Sequence, residues 1–192
     1  MIEQLYEPFR DWAQRGSIYI LSDLHLNDRD CKYMDSNWIS AEEQINILKS
    51  TIHFDDTFIC LGDVGDINAL WEFWYGKDAL KFPLHTVLIT GNHDTGRVIN
   101  NTVWDVVYKG PIFISPKILL SHEPIYGLDW CMNIHGHDHQ LENKGDANHL
   151  NVAANVVGYK PIDLRKEIVK HGLLSGIKGI HRYTIDSIIS ES

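Results

Sequence analysis

Ile18-Tyr19-Ile20-Leu21-Ser22-Asp23-Leu24-His25 is an apolar run that ends on a carboxylate and an imidazole two residues apart. A short continuous apolar run reads as a buried strand, and polar residues just past it read as groups delivered to a cleft at the strand end. On an extended strand end, residues i and i+2 point the same way, so Asp23 and His25 are expected to face one side. The pattern recurs. Asp63 follows Phe58-Ile59-Cys60-Leu61, Asn92 follows Val87-Leu88-Ile89-Thr90, and His137 and His139 follow Met132-Asn133-Ile134. By the same spacing, His137 and His139 are expected to chelate as a pair. Four buried strands thus bring their polar ends to one place. Glycine precedes Asp63, Asn92 and His137, where a tight bend or the close approach of an ion excludes a Cβ.

Five motifs then stand in order: Asp23-Leu24-His25, Gly62-Asp63, Gly91-Asn92-His93-Asp94, Ser121-His122-Glu123-Pro124 and Gly136-His137-Asp138-His139. Each is weak alone. Together they supply two aspartates, an asparagine and four imidazoles besides His93, which is a ligand set for two adjacent metal ions. Oxygen and nitrogen donors without thiolate suit Mn²⁺, Zn²⁺, Fe, Co or Ni better than a structural zinc cage, which usually recruits cysteine.

From Ile18 to His139, and more loosely through Leu164, the chain resembles the calcineurin-like metallophosphoesterases. The stretch His149–Leu164 is similar to the end of their small single-domain bacterial and phage-type members. The resemblance implies a layered αββα sandwich of two mixed sheets flanked by helices, with a dimetal site at the rim of the sheets. It places Asp23, His25 and His139 on one ion, Asn92, His122 and His137 on the other, and Asp63 as the bridge. Such ions sit about 3.5–4 Å apart, hold a bridging hydroxide and clamp an in-line displacement at phosphorus. Two dications less two carboxylates and one hydroxide leave a positive site, so an acidic chain still attracts a phosphate. Mn²⁺ is the expected metal. The resemblance also puts His93 on the substrate side, where it stabilises developing charge or protonates the departing alkoxide.

In the related protein phosphatases the partner of that histidine is an Asp three residues after the bridging one, the position of Asp66. The Arg-Gly that follows there is Ile67-Asn68 here, which argues against a Ser/Thr protein phosphatase. Asp66 serves equally well as the N-cap of a helix carrying Ile67, Leu70, Trp71 and Trp74. Arg97 and Arg29 are candidates to hold a non-bridging phosphate oxygen, although surface arginine is the more common role. Asp94 and Asp138 are expected to make backbone hydrogen bonds, and His135 either supports a ligand or packs in its strand. His53, His85, His149, His171 and His181 match no motif and are expected to be solvated. The Trp71, Phe73 and Trp74 cluster reads as packing rather than a base-stacking platform.

With 192 residues the chain is expected to form a single domain with a core that needs no staples. Three cysteines, Cys31, Cys60 and Cys131, are odd in number and fit no metal spacing, which suggests free thiols in a reducing compartment. The first residues are charged and aromatic, and no stretch approaches a membrane span, so cytoplasm is the default. A net charge of −9 argues against non-specific nucleic-acid binding. The basic residues between Lys160 and Arg182 read as a solvated helix face.

Ser40-Ala41-Glu42-Glu43 is a capping box, followed at helical spacing by Ile45, Leu48 and Ile52. Ile112–Ile114, Ile118–Leu120 and Leu150–Ala153 read as strands, and Pro161–Lys170 as a helix. Strands alternating with helices, then mostly strands, indicate an α/β layered architecture. The expected activity is hydrolysis of a small phosphate ester, with a phosphodiester favoured because the open layout lacks an evident capping domain. The alternatives are a phosphomonoesterase or a nucleotide or polyphosphate hydrolase at the same site. A nuclease would call for a basic strip, and a non-catalytic scaffold for a lost ligand; neither feature is present. No pattern in the sequence specifies an oligomeric state.

Overall fold

The computed structural model describes residues 2–76, 85–140 and 147–176. Along the chain these form α1 (Phe9–Trp12), β1 (Ile18–Leu21), α2 (Cys31–Met34), α3 (Ala41–Thr51), β2 (Thr57–Cys60), α4 (Ile67–Tyr75), β3 (His85–Ile89) and α5 (Gly96–Ile99). There follow β4 (Val106–Tyr108), β5 (Ile112–Ser115), β6 (Ile118–Leu120), β7 (Met132–His135), β8 (His149–Asn151), β9 (Ile162–Asp163) and α6 (Leu164–His171). His181 lies outside the described residues.

Two mixed sheets result. The first runs β4-β3-β2-β1-β9, with β1 to β4 parallel and β9 antiparallel against β1. The second runs β5-β6-β7-β8, parallel except for β5. Side-chain alternation assigns the faces of the first sheet. Ile18, Ile20, Ile59, Val87 and Ile89 pack with Ile114, Ile118, Leu120 and Ile134 of the second sheet, so this cluster fills the space between the sheets. Leu21, Phe58, Cys60 and Leu88 point the other way, onto Leu48 and Ile52 from the α3 region and Ile67, Leu70 and Trp74 of the α4 region. Both faces of β2 are buried, which explains its unbroken apolar sequence.

On its far face the second sheet carries Phe113, Leu119, Asn133 and His149, opposite one another across the strands. Trp130 stacks on Phe113, the Ile125 N–H donates to Asn133 Oδ1 at 2.7 Å, and His149 Nε2 lies 3.0 Å from the Ile125 carbonyl. His149 is therefore half-buried and engaged rather than solvated. His85 likewise stacks on Trp12, with ring centroids 4.6 Å apart.

The two sheets are joined at Ser22, immediately after β1. Its N–H donates to the Val152 carbonyl at 3.0 Å and its carbonyl accepts from Ala154 N–H at 2.9 Å, so the end of β1 is stitched to the chain leaving β8.

Helix α3 begins where its capping box indicates, with Ser40 Oγ accepting from Glu43 N–H and the Glu43 carboxylate reaching back to Ser40. The expected helix from Pro161 starts later. Ile162 and Asp163 pair with β1 first, and Asp163 then caps α6 by accepting from Arg165 N–H at 2.9 Å. Gly172 ends α6 in the left-handed conformation, as a C-terminal glycine does. Among the described residues no helix is long and apolar enough to cross a membrane.

Candidate metal centre

The chain just beyond β1, β2, β3, β6 and β7 converges at one rim. Asp23, His25, Asp63 and His137 all have positive φ, at 57, 41, 53 and 66°. The expected extended strand ends are therefore absent. Asp23 and His25 do face one side, but left-handed turns rather than strand alternation put them there. Non-glycine residues adopt this conformation only where surroundings enforce it, and such positions concentrate at functional sites.

Hydrogen bonds supply the enforcement. Asp23 Oδ2 accepts from the His137 N–H, and Asp63 Oδ1 accepts from the His93 N–H, each at 2.8 Å. One oxygen of each aspartate is thus tied to backbone and the other is presented to the site. A Cβ at Gly136 would overlap Asp23 and Ser22, and one at Gly91 would overlap Asp63, so both positions require glycine. Asp94 accepts from the N–H groups of Gly91, Asp63 and Val64 at 2.8–3.1 Å and fastens the β2 and β3 loops together.

Two groups of donor atoms result. In the first, His139 Nε2 lies 3.5 Å and His25 Nε2 4.0 Å from Asp23 Oδ1. In the second, Asn92 Oδ1 lies 2.8 Å from His122 Nε2 and 3.2 Å from His137 Nδ1, and those two ring nitrogens are 3.2 Å apart. Asp63 Oδ2 stands between the groups, 3.6 Å from His25 Nε2 and 3.4 Å from His122 Nε2. The sequence spacing suggested that His137 and His139 act as a chelating pair. The structure separates them, His139 joining Asp23 and His25 while His137 joins Asp63 and His122.

The donor set fits divalent metal ions. Asp23 Oδ1 and His25 Nε2 are fully buried with no hydrogen-bond partner, an arrangement that is costly unless a cation fills it. Burial alone pulls the His122 imidazolium down. The hydrogen bond to Asp63 and the carboxylates of Asp23 and Asp63 outweigh it and push the group up to about 9. The second group of atoms therefore attracts positive charge.

Three of the four imidazoles are also held from behind. His25 Nδ1 lies 3.3 Å from Asp28, His122 Nδ1 lies 2.8 Å from the Leu61 carbonyl, and His139 Nδ1 lies 3.1 Å from Asn155 Oδ1. Such contacts fix the tautomer so that Nε2 keeps its lone pair for the site. Trp38 covers this side, its ring 5.9 Å from that of His25 and 5.7 Å from that of His139. Asp28 and Cys31 also approach His25 as a third donor group. Burial first, and then Asp28 and Asp30, push the Cys31 thiol up to about 12, so it stays protonated and Asp28 serves as the orienting group. His135 is buried, with Nδ1 2.8 Å from the Gly136 carbonyl, which steadies the turn before His137.

Sequence reasoning missed Asp28, Trp38 and Asn155. Only Asp28 carries a local signal, a carboxylate three residues after His25.

The His93 ring is exposed beside His25, with centroids 5.6 Å apart, and has no hydrogen-bond partner among the described residues. No hydrogen bond joins it to Asp66 among the described residues. Asp66 instead caps α4 by accepting from Asn68 N–H, and it accepts from Asn27 Nδ2, each at 3.0 Å. Arg97 donates to Asn68 at 3.0 Å, and Arg29 is exposed.

Carboxylates, an amide and imidazoles thus gather at the ends of two packed sheets in groups that could hold divalent ions. The chain belongs to the calcineurin-like phosphoesterase family, whose model matches residues 16–191. Members of this family act on phosphate esters and typically bind divalent metals. Among solved structures, the chain is similar to a protein of unknown function, AQ665, from Aquifex aeolicus. The two share 22% identity over 81% of this chain and 98% of that one, with a TM-score of 0.64, which is a likeness of fold. It is more distantly similar to the nuclease MPE of Pseudomonas putida, with 23% identity over 65% of this chain and 62% of that one and a TM-score of 0.44. No curated protein matches.

Proposed function

We propose that this chain is a dinuclear metal-dependent phosphoesterase that favours phosphodiesters. Asp23, His25 and His139 would hold one ion, Asn92, His122 and His137 the other, and Asp63 would serve both. The observation that carries the reading is the placement of Asp63 Oδ2 between His25 and His122 while Asp63 Oδ1 is held by backbone. Divalent ions in such a site polarise phosphoryl oxygens and lower the pKa of water, the expected ion here being Mn²⁺.

The protein's own groups do the rest. The backbone N–H of His93 fixes Asp63, and the adjoining exposed ring of His93 would face the substrate. From there it can deliver a proton to the ester oxygen that departs. Asp28, Leu61 and Asn155 keep the ligand rings in one orientation, so little reorganisation accompanies phosphate entry. Asn68 and Ile67 stand in place of the Arg-Gly of protein phosphatases, and this supports a small diester over a phosphoprotein.

The test is a panel of Mn²⁺, Ni²⁺, Co²⁺, Zn²⁺ and Mg²⁺ against bis-p-nitrophenyl phosphate and p-nitrophenyl phosphate. Turnover of the diester with kcat/KM at least equal to that of the monoester is the expected result. A clear preference for the monoester makes the chain a phosphomonoesterase, and no turnover with any metal rejects the reading.

A further inference from the structure

A cleft of about 390 Å³ adjoins the second group of donor atoms, because Asn92 and His122 are among the residues that line it. It runs between the chain leaving β3 and the chain leaving β6, so both sheets build it. Ile89, Pro111, Pro124 and Ile125 make it partly apolar, and Lys109 and Glu123 give it two charges. The volume falls within the roughly 300–1,000 Å³ of small-molecule sites. A phosphoryl group seated at Asn92 and His122 would border this space, which has room for one of its ester substituents.

Lys109 is the informative residue. It is exposed and makes no ion pair or hydrogen bond with another described residue, in a chain with 26 acidic and 17 basic side chains. Glu123 is also exposed, and its carboxylate makes no ion pair or hydrogen bond with a described residue. The two charges share one cleft without neutralising each other. A ligand matching both presents an anion to the lysine and hydroxyl donors to the glutamate, while an apolar ring covers the prolines and isoleucines. Neither Arg29 nor Arg97 lines this space.

Building on the phosphoesterase reading, we infer that this cleft is a subsite for a nucleotide-like substituent, and that Lys109 selects substituents carrying a second phosphate. The substrate class is then a phosphodiester in which one esterified group is itself a sugar phosphate bearing an aromatic base. A lone exposed lysine–phosphate contact contributes modestly, and a five- to tenfold preference is the corresponding scale, about 1–1.4 kcal/mol.

Calorimetric titration of the Mn²⁺-loaded protein with adenosine 3′,5′-bisphosphate and with adenosine 5′-monophosphate tests this without requiring turnover. The bisphosphate is expected to bind five- to tenfold more tightly. The ratio is expected to fall to about one in Lys109→Ala and below one in Lys109→Glu. Because the ratio is taken within each protein, a variant with altered metal content still reports on the subsite. Equal affinities in the wild type, or a ratio that survives Lys109→Ala, overturns the inference. Failure to hydrolyse any chromogenic ester rejects the phosphoesterase reading instead and leaves the binding ratio to decide the cleft.

Discussion

Asn155 grips His139 twice: its Oδ1 lies 3.1 Å from the ring Nδ1, and its Nδ2 donates to the His139 carbonyl at 2.9 Å. Asp35, itself buried, lies 3.5 Å from the same amide. The ring and its backbone are therefore positioned by one side chain sixteen residues further along.

Asn155→Ala is expected to weaken Mn²⁺ binding by about 10–100-fold, the usual effect of removing a group that orients a ligand. Asn155→Asp keeps the acceptor for Nδ1 and is expected to recover part of that loss. Isothermal titration of metal-free protein measures both. An affinity unchanged in the alanine variant rejects the role.

Asp63→Asn replaces the charge shared by the two donor groups while leaving their geometry nearly intact. Occupancy at both positions and activity are expected to fall together. Metal content by mass spectrometry, set beside turnover of bis-p-nitrophenyl phosphate, provides the check; a variant that retains two ions per chain contradicts the shared position.

His93→Ala separates chemistry from metal binding. Its ring makes no hydrogen bond within the described protein, so the variant is expected to retain both ions. Turnover is expected to slow by about 10²–10⁴-fold for alkyl esters, the usual contribution of a positioned acid. The deficit should shrink for p-nitrophenolate, which leaves without protonation. Equal deficits for both leaving groups, or loss of a metal, refute the assignment.

All three thiols are buried and shifted upward. Burial is the first cause in each, taking Cys60 well above the ordinary thiol range, Cys31 to about 12 and Cys131 upward as well. A raised pKa means that the neutral thiol persists as pH rises, and only the thiolate attacks disulfide reagents. At pH 8 the folded protein is expected to leave 5,5′-dithiobis(2-nitrobenzoate) essentially unconsumed, whereas the denatured chain consumes three equivalents. Rapid reaction of any thiol in the native state contradicts this packing.

The apolar runs ending at Leu21, Leu61 and Ile89 made the central strands of the first sheet legible, because burial on both faces leaves a nearly continuous apolar signature, whereas Met132-Asn133-Ile134 was legible despite a buried polar residue. The capping box at Ser40 marked the start of α3 for an equally local reason. Val106–Tyr108, an edge strand half-buried at all three positions, was not read as a strand, whereas the equally short but fully buried Ile118–Leu120 was. Ile162 and Asp163 were absorbed into the helix reading because nothing in the local sequence announces their pairing with Tyr19 and Ile20. At the site, the types of donor were legible and the route by which they meet was not. Left-handed turns at Asp23, His25, Asp63 and His137 are imposed by contacts between distant segments, and a single sequence carries no local mark of them. The partnership of Asn155 with His139 was hidden for the same reason.

The bond from the His137 N–H to Asp23 Oδ2 spans 114 positions of sequence and reaches from one sheet to the other, close to where Ser22 is stitched to Val152 and Ala154. The same rim that gathers the donor atoms is thus the seam along which the two layers are fastened. Under the proposed assignment, an ion held by Asp23 and His25 from one layer and His139 from the other would act as a rivet through that seam and would close a very long chain loop. Stability then becomes a property of the solution as well as of the chain: at a free metal concentration one hundred times Kd, each such rivet adds about 2.7 kcal/mol. A preparation with mixed metal content would melt as a mixture, its chelated fraction separating along the seam at the lower temperature.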